Sequence, residues 1–127
     1  MDQYSADARR IRVVIIDDHE IFRAACRALL QTEGLDIVAD LPVDEQAIAV
    51  TEAMSPDLVI VDITPGQPLA VVIAERLRTL PHAPTIVLTS SSTGLICREQ
   101  LAGVRFVPKA DICRERLLRH LRSSTQP

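Results

Sequence analysis

Apolar residues fall along this chain in two alternating patterns. Short unbroken runs come first: Val13-Val14-Ile15-Ile16, Leu58-Val59-Ile60-Val61 and Ile86-Val87-Leu88. Runs this short, rich in β-branched residues and bounded by turn formers, predict strands buried on both faces, as in a parallel sheet covered by helices. Between them the apolar positions recur at helical spacing. Phe22, Ala25, Cys26, Leu29 and Leu30 form one stripe, and Val43, Ala47, Val50 and Met54 a second. Leu69, Val72, Ile73, Leu77 and Leu80 form a third, and Cys113, Leu117, Leu118 and Leu121 a last one.

Taken in order, the pattern predicts strands at 12–17, 35–39, 58–62, 85–88 and 104–107. Helices are predicted at 19–33, 43–54, from Pro68 to Leu80, at 94–102 (weakly patterned), and after Asp111, a candidate N-cap. Gly34 is placed to stop the first helix and Pro56 to close the second. Strand and helix alternate five times. This order predicts an α/β fold: a doubly wound, five-stranded parallel sheet with five helices, flavodoxin-like in form. Residues 1–10 read as a disordered arm, 11–122 as one domain and 123–127 as a tail or the start of a linker.

Composition narrows the function. The 127 residues suffice for one domain, and 47% hydrophobic with 24% charged is a globular balance. The net charge of −3 argues against a dedicated nucleic-acid binder, and 2% aromatics leave no stacking platform for single strands. Three cysteines, Cys26, Cys97 and Cys113, without a C-x-x-C pair fit reduced thiols. No apolar run approaches a membrane span, and residues 1–10 lack a secretory signal, so the expectation is a cytoplasmic protein with no membrane partner.

The chemistry gathers where strands end. Asp17-Asp18, Asp62, Thr89 and Lys109 each follow a predicted strand. The carboxyl ends of a parallel sheet lie on one edge, where open α/β sheets bind ligands. An aspartate alone would be an ordinary turn residue; four such endings on one edge are not an ordinary coincidence. Clustered carboxylates repel unless one is protonated or a cation lies among them. His19 follows the acids but is expected to point along its helix, leaving an all-oxygen donor set that suits Mg²⁺. With an ammonium and a hydroxyl nearby, the site fits a phosphoryl group in transfer, with Asp62 as the nucleophile.

At these residues the chain resembles the receiver domain of two-component response regulators, most closely the NarL/FixJ-type branch. The motifs are Val13-Val14-Ile15-Ile16-Asp17-Asp18-His19, Pro56-Asp57-Leu58-Val59-Ile60-Val61-Asp62, Thr85-Ile86-Val87-Leu88-Thr89-Ser90 and Gly103-Val104-Arg105-Phe106-Val107-Pro108-Lys109. The resemblance implies that Asp62 is the phosphoacceptor and that Asp18 binds Mg²⁺ directly, with Asp17 acting largely through water. It makes the backbone carbonyl of Thr64 a further ligand. Lys109 is implied to pair with the acceptor and then the phosphoryl group, while Thr89 reorients toward it. Phe106 takes the switch position, reshaping the face of the fourth helix, fifth strand and last helix. Such a domain catalyses only its own phosphorylation and is not an enzyme in the ordinary sense.

The chain departs from the family pattern in three places. The segment after Asp62, Ile63-Thr64-Pro65-Gly66, is one residue short and lacks a Met-Pro pair; Phe106 replaces the commoner Tyr; Ala110 stands where Pro is frequent. The implied partner is a histidine kinase. A homodimer is expected through the switch face or through the first and last helices. DNA would be reached only through an output domain absent from this chain. Two alternatives differ in class. One is a stand-alone or atypical receiver that works by protein contact without phosphorylation. The other is a phosphatase of the haloacid dehalogenase type, which needs an Asp where Thr64 stands. The arginines of the last helix, Arg114, Arg116, Arg119 and Arg122, read as a solvated face before they read as a docking surface.

Overall fold

In the computed structural model, residues 10–91 and 105–125 are described, with side chains to residue 121. The strands are β1 (Arg12–Ile16), β2 (Asp36–Leu41), β3 (Leu58–Asp62), β4 (Thr85–Thr89) and β5 (Arg105–Phe106). The helices are α1 (Glu20–Thr32), α2 (Gln46–Met54), α3 (Leu69–Arg78) and α4, the last helix (Arg114–Thr125). The helix expected at 94–102, the arm at residues 1–9 and Cys97 lie outside the described residues.

All four strand pairings are parallel, in the order β2-β1-β3-β4-β5. The order places β1 against β3 although they are not consecutive. That reversal is where a doubly wound sheet opens a crevice at its carboxyl edge.

The unbroken apolar runs are explained by two cores. Val13, Ile15, Leu58, Ile60 and Val87 face Cys26 and Leu30 of α1 and Leu117 and Leu118 of α4. The alternate residues Val14, Ile16, Val59, Val61, Ile86 and Leu88 face Ala47 of α2 and Ile73, Ala74 and Leu77 of α3. Every residue of β3 is buried. Strand side chains alternate faces, so a strand covered on both sides must be apolar throughout.

Several element limits differ from the sequence expectation, each for a local reason. β2 runs on to Leu41 because Asp17 N donates to its carbonyl at 2.9 Å. α2 starts at Gln46, not Val43, because the Asp44 carboxylate accepts the Gln46 amide at 2.9 Å and holds a turn there. Its last residue is followed by Ser55 at φ 48°, so a left-handed serine ends the helix before Pro56. The stripe on α1 is narrower than its spacing implied. Phe22, Cys26 and Leu30 pack inward, while Leu29 is 45% exposed. In α3, Ala70 and Ala74 are buried where Val72 was expected, and Val72 is 49% exposed. The buried face is Ala70, Ile73, Ala74 and Leu77, an i, i+3, i+4, i+7 stripe that turns Val72 outward.

Asp111 is not a helix cap. It lies in a 3₁₀ turn, Lys109–Asp111, its amide bonded to the Pro108 carbonyl at 2.9 Å, and it pairs with Arg116 at 3.6 Å. The start of α4 is capped from across the fold instead: the Glu33 carboxylate accepts the Arg114 amide at 2.8 Å. Helical backbone continues to Thr125, into the stretch read as a tail.

Candidate phosphoryl and cation site at the carboxyl edge

Register builds the site. Ile16 pairs with Val61, so the next residues along β1 and β3, Asp17 and Asp62, leave the sheet side by side. Asp62 itself pairs with Thr89 of β4. Past β5, the Val107 amide bonds the Leu88 carbonyl at 2.9 Å and the Lys109 amide the Ser90 carbonyl at 3.2 Å. These bonds lay the β5 extension along the end of β4 and bring Lys109 back over the edge.

Lys109 Nζ lies 3.1 Å from Asp17 Oδ2 and 3.3 Å from Asp62 Oδ1. Both aspartates are buried, at 2% and 3% side-chain exposure, so two charges leave water here and one ammonium faces both. The same Nζ lies 4.4 Å from the centre of the Phe22 ring, a cation–π contact that fixes the ammonium from the α1 side. Burial pushes the Asp62 carboxyl above its ordinary range, and the Asp17 charge adds to the rise; Lys109 and His19 oppose it. Among the described residues Asp17 Oδ2 makes no hydrogen bond, its contact with the ammonium being an ion pair only. Two buried acids facing one ammonium, with an oxygen left unbonded, suit an added cation.

His19 departs most from expectation. It does not point along its helix. It sits just before α1 with extended backbone, φ −84° and ψ 99°. Its amide is held by Asp17 Oδ1 at 2.7 Å, which swings the ring over the site. Nδ1 then lies 3.1 Å from Asp17 Oδ1, 3.3 Å from Asp62 Oδ2 and 3.2 Å from Lys109 Nζ. The sequence signal was the Asp-Asp-His order itself: a residue two after a strand-end carboxylate is well placed to fold back in an Asx-type turn.

Asp18 takes a different direction. It is exposed, and its Oδ1 accepts the Val43 amide at 2.7 Å. Asp17, His19 and Asp62 have donor atoms within 4.8 Å of one another, and Asp18 is not in that group. The loop after Asp62 is a tight turn. Gln67 N bonds the Thr64 carbonyl at 3.0 Å, and Gly66 has φ +85°. Proline at the second position and a positive-φ glycine at the third are the demands of a type II turn, so Pro65-Gly66 accounts for the shortened loop. The Thr64 carbonyl therefore carries one hydrogen bond already and has one lone pair left. Thr64 Oγ1 is 3.5 Å from Asp62 Oδ2.

Thr89 Oγ1 is fully buried and has no hydrogen-bond partner among the described residues. An unmet buried hydroxyl costs about 1–3 kcal/mol. Thr89→Val, of equal shape, is thus expected to stabilise the protein by about 1 kcal/mol in urea unfolding. A loss of stability of that size would show instead that the hydroxyl is satisfied. Phe106 pairs with Leu88 and packs, half-buried, against the α2–α3 side of the sheet. Behind the site, Arg23 donates to the Asp17 carbonyl at 2.6 Å and to Asp40 at 3.0 Å, with Arg27 also on Asp40. This bracket ties the end of β1 to α1 and β2. Sequence reading missed it because its members share no motif.

No helix among the described residues is long and apolar enough to cross a membrane. Among curated proteins, the chain is 31% identical over 81 residues to the DNA-binding transcriptional activator EvgA of Escherichia coli K12, covering 64% of this chain and 40% of that one. A putative transcriptional regulator of Pseudomonas aeruginosa is 31% identical over 110 residues, covering 84% of this chain and 53% of its own. The chain thus spans about half or less of these relatives' length. Among solved structures, CheY in a CheX–CheY–BeF₃–Mg²⁺ complex from Borrelia burgdorferi shares the fold at TM-score 0.74 and 19% identity, covering 96% and 95% of the two chains. With the family model for the response regulator receiver domain matching residues 13–119, the chain belongs to the response regulator receiver domain family.

Proposed function

We propose that this chain is the phosphoacceptor of a two-component pathway, taking a phosphoryl group from a histidine kinase onto Asp62 in a Mg²⁺-dependent step. The observation that carries the reading is the meeting of Asp17, Asp62 and Lys109 within 3.3 Å contacts at the sheet edge. Asp62 attacks phosphorus with one carboxylate oxygen. The bond from phosphorus to the donor nitrogen breaks, and its electron pair leaves with the imidazole, which takes up a proton. Asp62 must be ionised for this attack, and burial works against that state. Lys109 opposes part of that burial effect, favouring the carboxylate, and would then face the phosphoryl oxygens. Thr89, its hydroxyl without a partner among the described residues and beside Asp62 in register, has the donor a phosphoryl oxygen on Asp62 requires. Asp17 and Asp62 would hold the Mg²⁺, with Asp18 and the Thr64 carbonyl reaching it once their present bonds to Val43 and Gln67 are shared or released. When bound, the ion supplies positive charge against the phosphoryl oxygens.

The new acyl phosphate would add charge beside Thr89, whose strand neighbour Leu88 pairs with Phe106 of β5. A local charge event thereby biases the β5 and last-helix face. The EvgA likeness supports control of a DNA-binding output as the outcome. A second reading, a receiver that works by contact alone, is favoured by one observation: the Pro65-Gly66 turn that shortens the loop and engages the Thr64 carbonyl.

Incubation with acetyl phosphate separates the two. With Mg²⁺, intact mass should show one added phosphoryl group per chain; chelation with EDTA should cut the rate by at least about tenfold. Absence of uptake with Mg²⁺ present would favour the contact reading.

A further inference from the structure

We infer that His19 makes this site a mixed nitrogen–oxygen centre that prefers a borderline transition-metal ion of the Co²⁺ or Zn²⁺ class to Mg²⁺. The inference rests on the cation-binding part of the reading above and names the ion class that this chain's own donors select.

The donor set differs from the all-oxygen set the sequence suggested. Asp18 is turned to the Val43 amide, and the third donor beside Asp17 and Asp62 is an imidazole nitrogen. Nδ1 stands 3.1 Å from Asp17 Oδ1 and 3.3 Å from Asp62 Oδ2. Two donors each bound about 2.1 Å from one ion lie about 3.0 Å apart at a right angle and about 3.4 Å at the tetrahedral angle. The observed separations fall in that interval. The nitrogen is also pinned: the His19 amide bond to Asp17 holds ring and carboxylate together. Asp17 Oδ2, buried, ion-paired with Lys109 and without a hydrogen bond among the described residues, completes the acid side.

Ligand chemistry then decides the ion. Imidazole suits zinc, cobalt, nickel and copper, whereas Mg²⁺ prefers oxygen and gives up water reluctantly. The Lys109 ammonium, 3.2 Å from Nδ1, is the cation an incoming metal must displace or stand beside. That cost falls alike on any dication, so the preference between ions rests on the imidazole nitrogen. Binding through Nδ1 requires its lone pair, so any proton there is released on metal uptake.

The test titrates chelator-stripped protein with Co²⁺, followed by its visible absorption, and with Mg²⁺ by calorimetry. The wild-type chain should bind Co²⁺ at least about tenfold more tightly than Mg²⁺. His19→Gln should weaken Co²⁺ by about tenfold or more while moving Mg²⁺ by less than about twofold, with an altered Co²⁺ spectrum. His19 is 57% exposed, so the variant should fold; His19→Ala gives the same comparison with a smaller side chain. An unchanged Co²⁺ affinity in both variants, or an equal loss for both ions, overturns the inference. Acetyl phosphate labelling of the same samples keeps the two readings apart. Labelling with no effect of His19→Gln on Co²⁺ removes only the imidazole ligand. An unlabelled wild type that loses Co²⁺ on His19→Gln removes only the phosphoacceptor.

Discussion

Asp62→Asn should abolish phosphoryl uptake from acetyl phosphate and at the same time raise the protein's stability at neutral pH. The first half follows from the nucleophile: an amide offers no carboxylate oxygen to attack phosphorus. The second follows from burial. The Asp62 carboxyl titrates above its ordinary value because its charged form is desolvated and faces Asp17. The folded state therefore holds that proton over a window where the unfolded chain has lost it. Stability falls as pH rises from the unfolded pKa through the raised folded one, and above both the penalty is complete. Asn mimics the protonated acid and escapes the penalty. Thermal unfolding should show a higher Tm for Asp62→Asn at pH 7.5, with the difference shrinking as pH falls toward the ordinary aspartate range. A variant that is less stable at pH 7.5 would mean that the ion pair with Lys109 outweighs the cost of burying the charge.

Lys109→Ala should move stability the other way and also cost the reaction. Its ammonium is the near cation for both Asp17 and Asp62 and is itself only 10% exposed. Removing one side of a buried ion pair typically costs about 3–5 kcal/mol, because the remaining charge has no partner. The lost contact with the Phe22 ring adds to this. In urea the midpoint should drop sharply, and added divalent cation should recover more stability in the variant than in the wild type. Asp62→Asn placed on top should restore part of the loss, since the two residues share one contact and are not additive. Initial rates of phosphorylation in folded Lys109→Ala should fall by about 10²–10³-fold, the usual effect of losing one fixed donor to developing charge. A rate within about threefold of wild type would remove Lys109 from the chemistry.

The sheet was legible because its signals are local. Runs such as Val59-Ile60-Val61 can be satisfied only by burial on both faces, and the alternation of strands and helices limits their topology. The convergence of Asp17, Asp62, Thr89 and Lys109 followed from that topology, each residue ending or trailing a strand. What periodicity could not show were directions set by single hydrogen bonds. His19 turns inward because Asp17 holds its amide, and Asp18 turns outward to the Val43 amide. Glu33 caps the last helix from 81 residues away, which no window on the sequence contains. The helix stripes read from spacing are wider than the buried faces for a related reason. Spacing marks a face, but only the partner surface decides how much of it is covered, and α1 leaves Ala25 and Leu29 outside.

The most direct measurement is where the phosphoryl group resides. Borohydride reduces an aspartyl phosphate to homoserine, so protein phosphorylated with acetyl phosphate and Mg²⁺ can be reduced, digested and read by peptide mass spectrometry. Homoserine is expected at position 62 and at no other aspartate. Homoserine at position 17 or 18, or a phosphorylated protein with an unaltered residue 62, would contradict it.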